Sequence, residues 1–235
     1  MELGLKDKKV VVTGGASGIG KVIAEAFERE GAQVFILDKK TGFDASNEQD
    51  VEKFYRKTGD IDILINNAGI VKVKEFEKQE LVEWKELIHN NLLSAMICTK
   101  IFGKGMTARK KGKIINIIST DAYVGKDQNN ELGVKYVVAY AATKGALLTF
   151  TKALAVEWAE HNINVNGIAP ALIETEMTKE LFKDGDNKRE YEKTLPLHKI
   201  PKAEDVANAA LFLASEKADK ITGQVIAVDS GYLAK

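Results

Sequence analysis

Short apolar runs alternate along this chain with longer stretches of helical period. Lys8 to Thr13 (KKVVVT) is rich in β-branched residues and predicts a buried strand. A Gly-rich turn follows, then a helical period over Lys21 to Arg29. Gln33 to Leu37 predicts a second strand, ended by Asp38, and Ile61 to Ile65 a third, ended by Asn66-Asn67-Ala68-Gly69. One long helix is expected over Glu80 to Met106, a strand over Lys113 to Ile118, and a helix over Tyr140 to Glu160. Ile163 to Ile168 reads as a strand stopped by Pro170. A helix over Ala203 to Ser215 leads to a last strand, Gln224 to Val228.

Strands separated by helices need crossover connections, which place them in a mainly parallel sheet with helices on both faces. No linker, repeat or low-complexity tract divides the 235 residues, so a single α/β domain over 1–235 is expected. Hydrophobic residues make up 45% and charged residues 29%, a balance that excludes disorder. Lys plus Arg and Asp plus Glu both total 34, leaving no field that would favour nucleic acid or an anionic membrane. Cys98 is the only cysteine, which excludes an intramolecular disulfide and a four-Cys zinc site; its apolar neighbours predict a buried thiol. His89, His161 and His198 lie far apart with no metal-ligand spacing, and no metal is expected. The N-terminus has no apolar core of signal-peptide length, and no run reaches the roughly 18 residues of a membrane span, so the cytoplasm is the expected compartment.

The turn Thr13-Gly14-Gly15-Ala16-Ser17-Gly18-Ile19-Gly20 joins the first strand to the first helix. Glycines allow close backbone approach, and the helix aims its free N–H groups and positive dipole end at the same place. In the first strand–turn–helix unit of an α/β chain, that combination suits the pyrophosphate of a dinucleotide. Asp38, 18 residues after Gly20, stands where a carboxylate binds adenosine ribose hydroxyls and repels a 2′-phosphate; the plain alternative is a turn-forming Asp. Lys39 and Lys40 follow and soften that repulsion. Position 17 is Ser, so the turn offers no basic residue to a 2′-phosphate, and NAD is expected over NADP.

Tyr140-Ala141-Ala142-Thr143-Lys144 places a phenol and an ammonium four residues apart, on one helix face. An unperturbed phenol is a poor base at neutral pH, and a nearby cation is expected to lower its pKa. Alone, this spacing is common and mostly structural. Ser119 adds to it, because it follows a strand end, where open α/β sheets bind ligands, and can donate to a substrate oxygen. Asn91 puts an amide inside the long helix and needs a partner, a local backbone group or a water.

Together, TGGASGIG (13–20), NNAG (66–69), Asn91, Ser119, YAATK (140–144) and IAPALIET (168–175) resemble the classical short-chain dehydrogenase/reductase family, from about Leu5 to Gly231. The resemblance implies a doubly wound, three-layer Rossmann fold and hydride transfer between a nicotinamide and a secondary alcohol or its ketone. It implies Tyr140 as general acid/base, with Lys144 lowering its pKa and binding the nicotinamide ribose. Ser119 would polarise the substrate oxygen, and Asn91 would hold a water in the proton relay. Gly14, Ser17, Ile19 and Gly20 would line the pyrophosphate and Asp38 the ribose. Asp44 and Ala45 resemble the pair flanking the adenine, with Asn67, Ala68 and Gly69 along the adenosine. Pro170, Ile173 and Thr175 would hold the nicotinamide amide. Members of the family are usually tetramers or dimers, so a homo-oligomer is expected.

Three departures from the family stand out. Only Lys39 to Phe43 separates Asp38 from Asp44, as if one helix were deleted and the third strand shortened. Ser119 and Tyr140 are 21 apart, with extra polar residues within Gly125 to Val138 that either cover the substrate, extend a subunit contact or form a plain surface loop. Ala171 replaces the usual Gly after Pro170. The charged stretch from Glu174 to Leu197 suits either a mobile lid or ordinary surface helices. The 168–178 region looks most like members acting on polyols, sugar acids and 3-oxoacyl thioesters. A sugar, polyol or hydroxy acid is the preferred substrate; an NADPH-dependent 3-oxoacyl-thioester reductase and a non-catalytic NAD sensor are the alternatives.

Overall fold

The computed structural model describes residues 2–125, 136–175, 178, 182–183 and 185–235. Among these, six strands form one parallel sheet: β1 (Lys9–Thr13), β2 (Gln33–Leu37), β3 (Ile63–Asn66), β4 (Gly112–Ile117), β5 (Ile163–Pro170) and β6 (Val225–Val228). Their order is β2-β1-β3-β4-β5-β6. The chain winds outward from β1 to β2, then returns to β3 and winds the other way. That reversal opens a crevice at the strand carboxyl ends between β1 and β3, where open α/β sheets take ligands.

Seven α-helices flank the sheet in the described residues: α1 (Gly18–Arg29), α2 (Glu48–Thr58), α3 (Leu81–Ile88), α4 (Ser94–Arg109), α5 (Val138–Glu157), α6 (Gly185–Thr194) and α7 (Ala203–Ala214). Side chains alternate across each strand. Val10, Val12, Ile63 and Ile65 pack with Phe27 of α1 and Val206 and Ala210 of α7. Val11, Leu64, Ile114 and Val165 pack on the other face with Phe54 of α2, Phe102 of α4 and Leu154 of α5. The result is the three-layer, doubly wound arrangement expected. Burying strands on both faces is what makes them read as continuous apolar runs.

Two elements differ from the sequence reading. The single helix expected over 80–106 is α3, a five-residue π-helix His89–Leu93, then α4. The wider turn swings Asn91 inward, where it meets backbone from another segment. Helix α2 went unread because its surface is polar; it starts at Asn47, whose side chain accepts from the N–H of Gln49 and Asp50, and it buries Val51 and Phe54. After Asp38 the chain makes only a 3₁₀ turn, Lys39–Thr41, closed by Gly42 at φ +86°. No strand is described between β2 and β3, so β2 is an edge of the sheet.

Most of the extra segment, residues 126–135, lies outside the described residues, as do Glu176, Met177, 179–181 and 184. Helix α6 falls in the expected lid region and buries Tyr191 with Phe182 and Leu195. No helix among the described residues is long and apolar enough to cross a membrane. Cys98 is buried in the core, where desolvation pushes its thiol up.

Candidate active site

A cleft of about 700 Å³ opens at the carboxyl ends of β1, β3, β4 and β5. Its floor at β1 is the glycine turn. Gly14 sits at φ +62° and lines the cleft; a Cβ there would stand 3.0 Å from Ala68 Cα. Ser17 and Ile19 line it as well. Gly20 does not: it lies behind, where a Cβ would meet Gly14 O at 2.3 Å and Asn67 Nδ2 at 2.4 Å. It lets α1 start hard against the turn. Ser17 caps α1 without a side-chain hydrogen bond, and the first turn holds no acidic residue. The helix therefore presents an uncompensated positive end, suited to an anion.

Asn67 Nδ2 donates to Thr13 O (3.0 Å) and Gly14 O (3.1 Å), tying the end of β3 to the turn. Asn67, Ala68 and Gly69 all line the cleft. Asp38 closes the β2 end, accepting from Ala16 N (3.1 Å) and Lys40 N (2.8 Å). Lys40 also lines the cleft, whereas Lys39 Nζ is engaged with Asp44 at 3.1 Å and with Asn90 at 3.2 Å. Asp44 and Ala45 are not brought to the cleft. Asp44 accepts from Ser46, which with Lys39 holds its carboxyl below the usual range against desolvation, and Ala45 is buried beside α2.

Ser119, Tyr140 and Lys144 converge despite the 21 residues between the first two. Ser119 caps the 3₁₀ turn Thr120–Ala122, and its hydroxyl acts on the Tyr140 phenol, favouring the phenolate. One turn further along α5, Lys144 Nζ stands 5.7 Å from the Tyr140 ring centre and donates to Ile117 O at 2.7 Å. Burial and then the charge of Asp121 push the phenol above its ordinary value of 10.0, while Ser119 pulls it down. Burial lowers Lys144 to about 8, opposed by Asp121. The sequence reading expected a phenol lowered by Lys144; here burial and Asp121 raise it, and only Ser119 opposes them.

Asn91 is buried behind this group and does not line the cleft. Its amide is fully engaged: Oδ1 accepts from Ile70 N (2.7 Å), and Nδ2 donates to Ile70 O (2.9 Å) and Thr143 Oγ1 (3.1 Å). It braces the loop after β3 against α5. Pro170, Ile173 and Thr175 line the far wall, with Ala171 and Leu172 between them. The Leu172 N–H donates to the Tyr191 hydroxyl at 2.9 Å, fastening α6 to this wall. The sequence reading missed Lys40, Asp121, Val137 and Leu172 as lining residues. Asp121 was within reach of it, two residues past Ser119 on the same strand-end turn.

A family model described as enoyl-(acyl carrier protein) reductase matches residues 41–233. The NAD-dependent glycerol dehydrogenase of Listeria innocua serovar 6a is 34% identical, over 100% of this chain and 97% of its own. The 3-oxoacyl-(acyl-carrier-protein) reductase of Aquifex aeolicus is 35% identical, over 98% and 99%. Among solved structures, a putative NAD(P)-dependent gluconate 5-dehydrogenase from Beutenbergia cavernae with bound NADP superposes with TM-score 0.89 at 32% identity, covering 100% of both chains.

Proposed function

The chain belongs to the short-chain dehydrogenase/reductase family and is an oxidoreductase of CH–OH groups with a nicotinamide dinucleotide cofactor; from that premise we propose that it oxidises a polyol, sugar or hydroxy acid with NAD, or reduces the matching ketone. The observation that carries the reading is the group of Ser119, Tyr140 and Lys144 at one wall of the cleft. The cofactor supplies or accepts the hydride. The turn Gly14–Ile19 and the open end of α1 fit its pyrophosphate, and Asp38 fits its adenosine ribose. Pro170, Ile173 and Thr175 fit the nicotinamide amide.

Tyr140 then exchanges a proton with the substrate oxygen, while Ser119 donates to that oxygen as it gains charge. Lys144, whose Nζ stands 5.7 Å from the Tyr140 ring centre, would bind the nicotinamide ribose. Asn91 acts as a positioning residue through Ile70 and Thr143. Asp38 at the β2 end and Ser17 in the turn favour NAD over NADP. A second reading, an NADPH-dependent 3-oxoacyl-thioester reductase, draws support from Lys40 on the cleft wall and from the Aquifex relative. We read the chain as one domain over 1–235 that works as a homo-oligomer, a tetramer or else a dimer, in the cytoplasm.

The test is NAD reduction across polyols, sugar acids and hydroxy acids, run beside acetoacetyl thioester reduction with NADPH. Turnover confined to the thioester with NADPH selects the second reading.

A further inference from the structure

The cleft holds one acidic side chain that the proposed chemistry does not use. Asp121 lines it beside Ser119 and Tyr140, in the 3₁₀ turn that Ser119 caps. Its backbone N–H donates to Ser119 Oγ at 3.2 Å, which fixes the Asp121 backbone beside the hydroxyl that would meet the substrate oxygen. Its charge reaches Tyr140, Lys144 and, on α6, Tyr191. Among the described lining residues the Asp and Lys side chains divide into two pairs. Asp38 and Lys40 stand at the β2 end; Asp121 and Lys144 stand at the Tyr140 end. Lys144 is buried and committed to Ile117 O, so the described residues offer a substrate carboxylate no dedicated cation there.

We infer that Asp121 sets the substrate class, accepting a hydrogen bond from a hydroxyl beside the reacting carbon and turning away a carboxylate at that place. A carboxylate acceptor gives a charge-assisted hydrogen bond to a neutral hydroxyl. A like charge in the same partly desolvated cleft is repelled. The inference rests on the polyol, sugar or hydroxy-acid reading and narrows it to uncharged, hydroxyl-rich substrates.

Two matched pairs test it, glycerol against glycerate and sorbitol against gluconate, with NAD reduction followed in the wild type and in Asp121→Asn. The wild type is expected to favour the neutral member by at least tenfold in kcat/KM, and Asp121→Asn to shrink that preference at least tenfold. Asp121→Ser must move the ratio the same way. Tyr140 and Lys144 serve both members of a pair, so a general loss of activity cancels in the ratio. A ratio unmoved by either substitution overturns the inference, as does a wild type that prefers the acids. If the wild type turns over none of the four, the polyol reading fails and binding decides the inference. Tartrate titrated into the NADH-loaded protein must then bind at least tenfold tighter to Asp121→Asn; equal affinities overturn it. Unchanged NADH affinity in both variants confirms that they are folded.

Discussion

Lys144 donates its ammonium hydrogen bond to the carbonyl of Ile117, the last residue of β4, at 2.7 Å. A buried cation thus ties the catalytic helix to the strand that carries Ser119. Burial holds the ammonium at about 8, below the usual 10.5. With the folded-state value depressed, the unfolded chain keeps its proton longer as pH rises. The charged lysine therefore costs stability below pH 8, and the cost fades between pH 8 and 10.5. Relative to Lys144→Met, the wild type is expected to gain about 2 kcal/mol between pH 7 and pH 9.5. Urea denaturation of both proteins at the two pH values measures it. A difference that stays flat or falls would mean the ammonium is not desolvated.

Tyr140 carries the proton step in this reading. Tyr140→Phe is expected to lower kcat/KM in both directions by about 10²–10⁴-fold or more while leaving NADH affinity unchanged. Burial and Asp121 hold the phenol above its ordinary value, so the proton stays on through neutral pH. Ketone reduction should hold its rate into mildly alkaline solution, and alcohol oxidation should accelerate as pH rises. Oxidation that is fastest in acid would remove Tyr140 from the role.

Much of this site was legible in the sequence because its parts are local. The glycine turn, the strand ends and the four-residue spacing of Tyr140 and Lys144 each follow from one element. What was hidden depends on distant partners. The π-helix at 89–93 exists for Asn91 to reach Ile70, and no periodicity within 80–106 announces that contact. Helix α2 shows few apolar residues, so its cap at Asn47 was the only strong signal. The raised phenol needs both desolvation at the cleft wall and the approach of Asp121, and both depend on how the chain packs.

Asn91 offers a test of that hidden contact. Asn91→Ala leaves the Ile70 N–H and C=O without their partners. Two lost part-buried bonds of this kind cost roughly 2–3 kcal/mol together. For a chain of this size that is a fall in Tm of roughly 4–12 °C. As a positioning residue it should also change the pH profile of kcat, because Thr143 and α5 shift with it. A stability loss with an unaltered profile would make Asn91 purely structural.

Glycines in the turn are not equivalent. Gly20→Ala puts a Cβ within 2.3 Å of Gly14 O, so the turn or α1 must move and NADH affinity should fall at least tenfold. At Gly18 nothing lies within 4 Å of an added Cβ, and only the φ of +55° opposes the substitution. Gly18→Ala should cost about 1–2 kcal/mol of stability and leave the pyrophosphate site formed. Thermal melts and NADH titrations rank the pair; the reverse ranking would contradict the close packing of α1 on the turn.

Cofactor choice turns on the β2 end of the cleft. Asp38 is fixed there by two backbone donors, Ala16 N and Lys40 N, so its charge cannot swing away from a 2′-phosphate. The wild type is expected to prefer NADH to NADPH. Asp38→Ala removes the charge and leaves Lys40 as the cation on that wall. The ratio of kcat/KM for NADPH over NADH should then rise at least tenfold, about 1.4 kcal/mol. Adding Lys40→Ala to Asp38→Ala should take most of that gain away, since the phosphate would have lost its described partner. Fluorescence titration with both nucleotides reads the same ratio without turnover. A wild type that binds NADPH more tightly would mean that Lys40, rather than Asp38, decides the outcome at this edge.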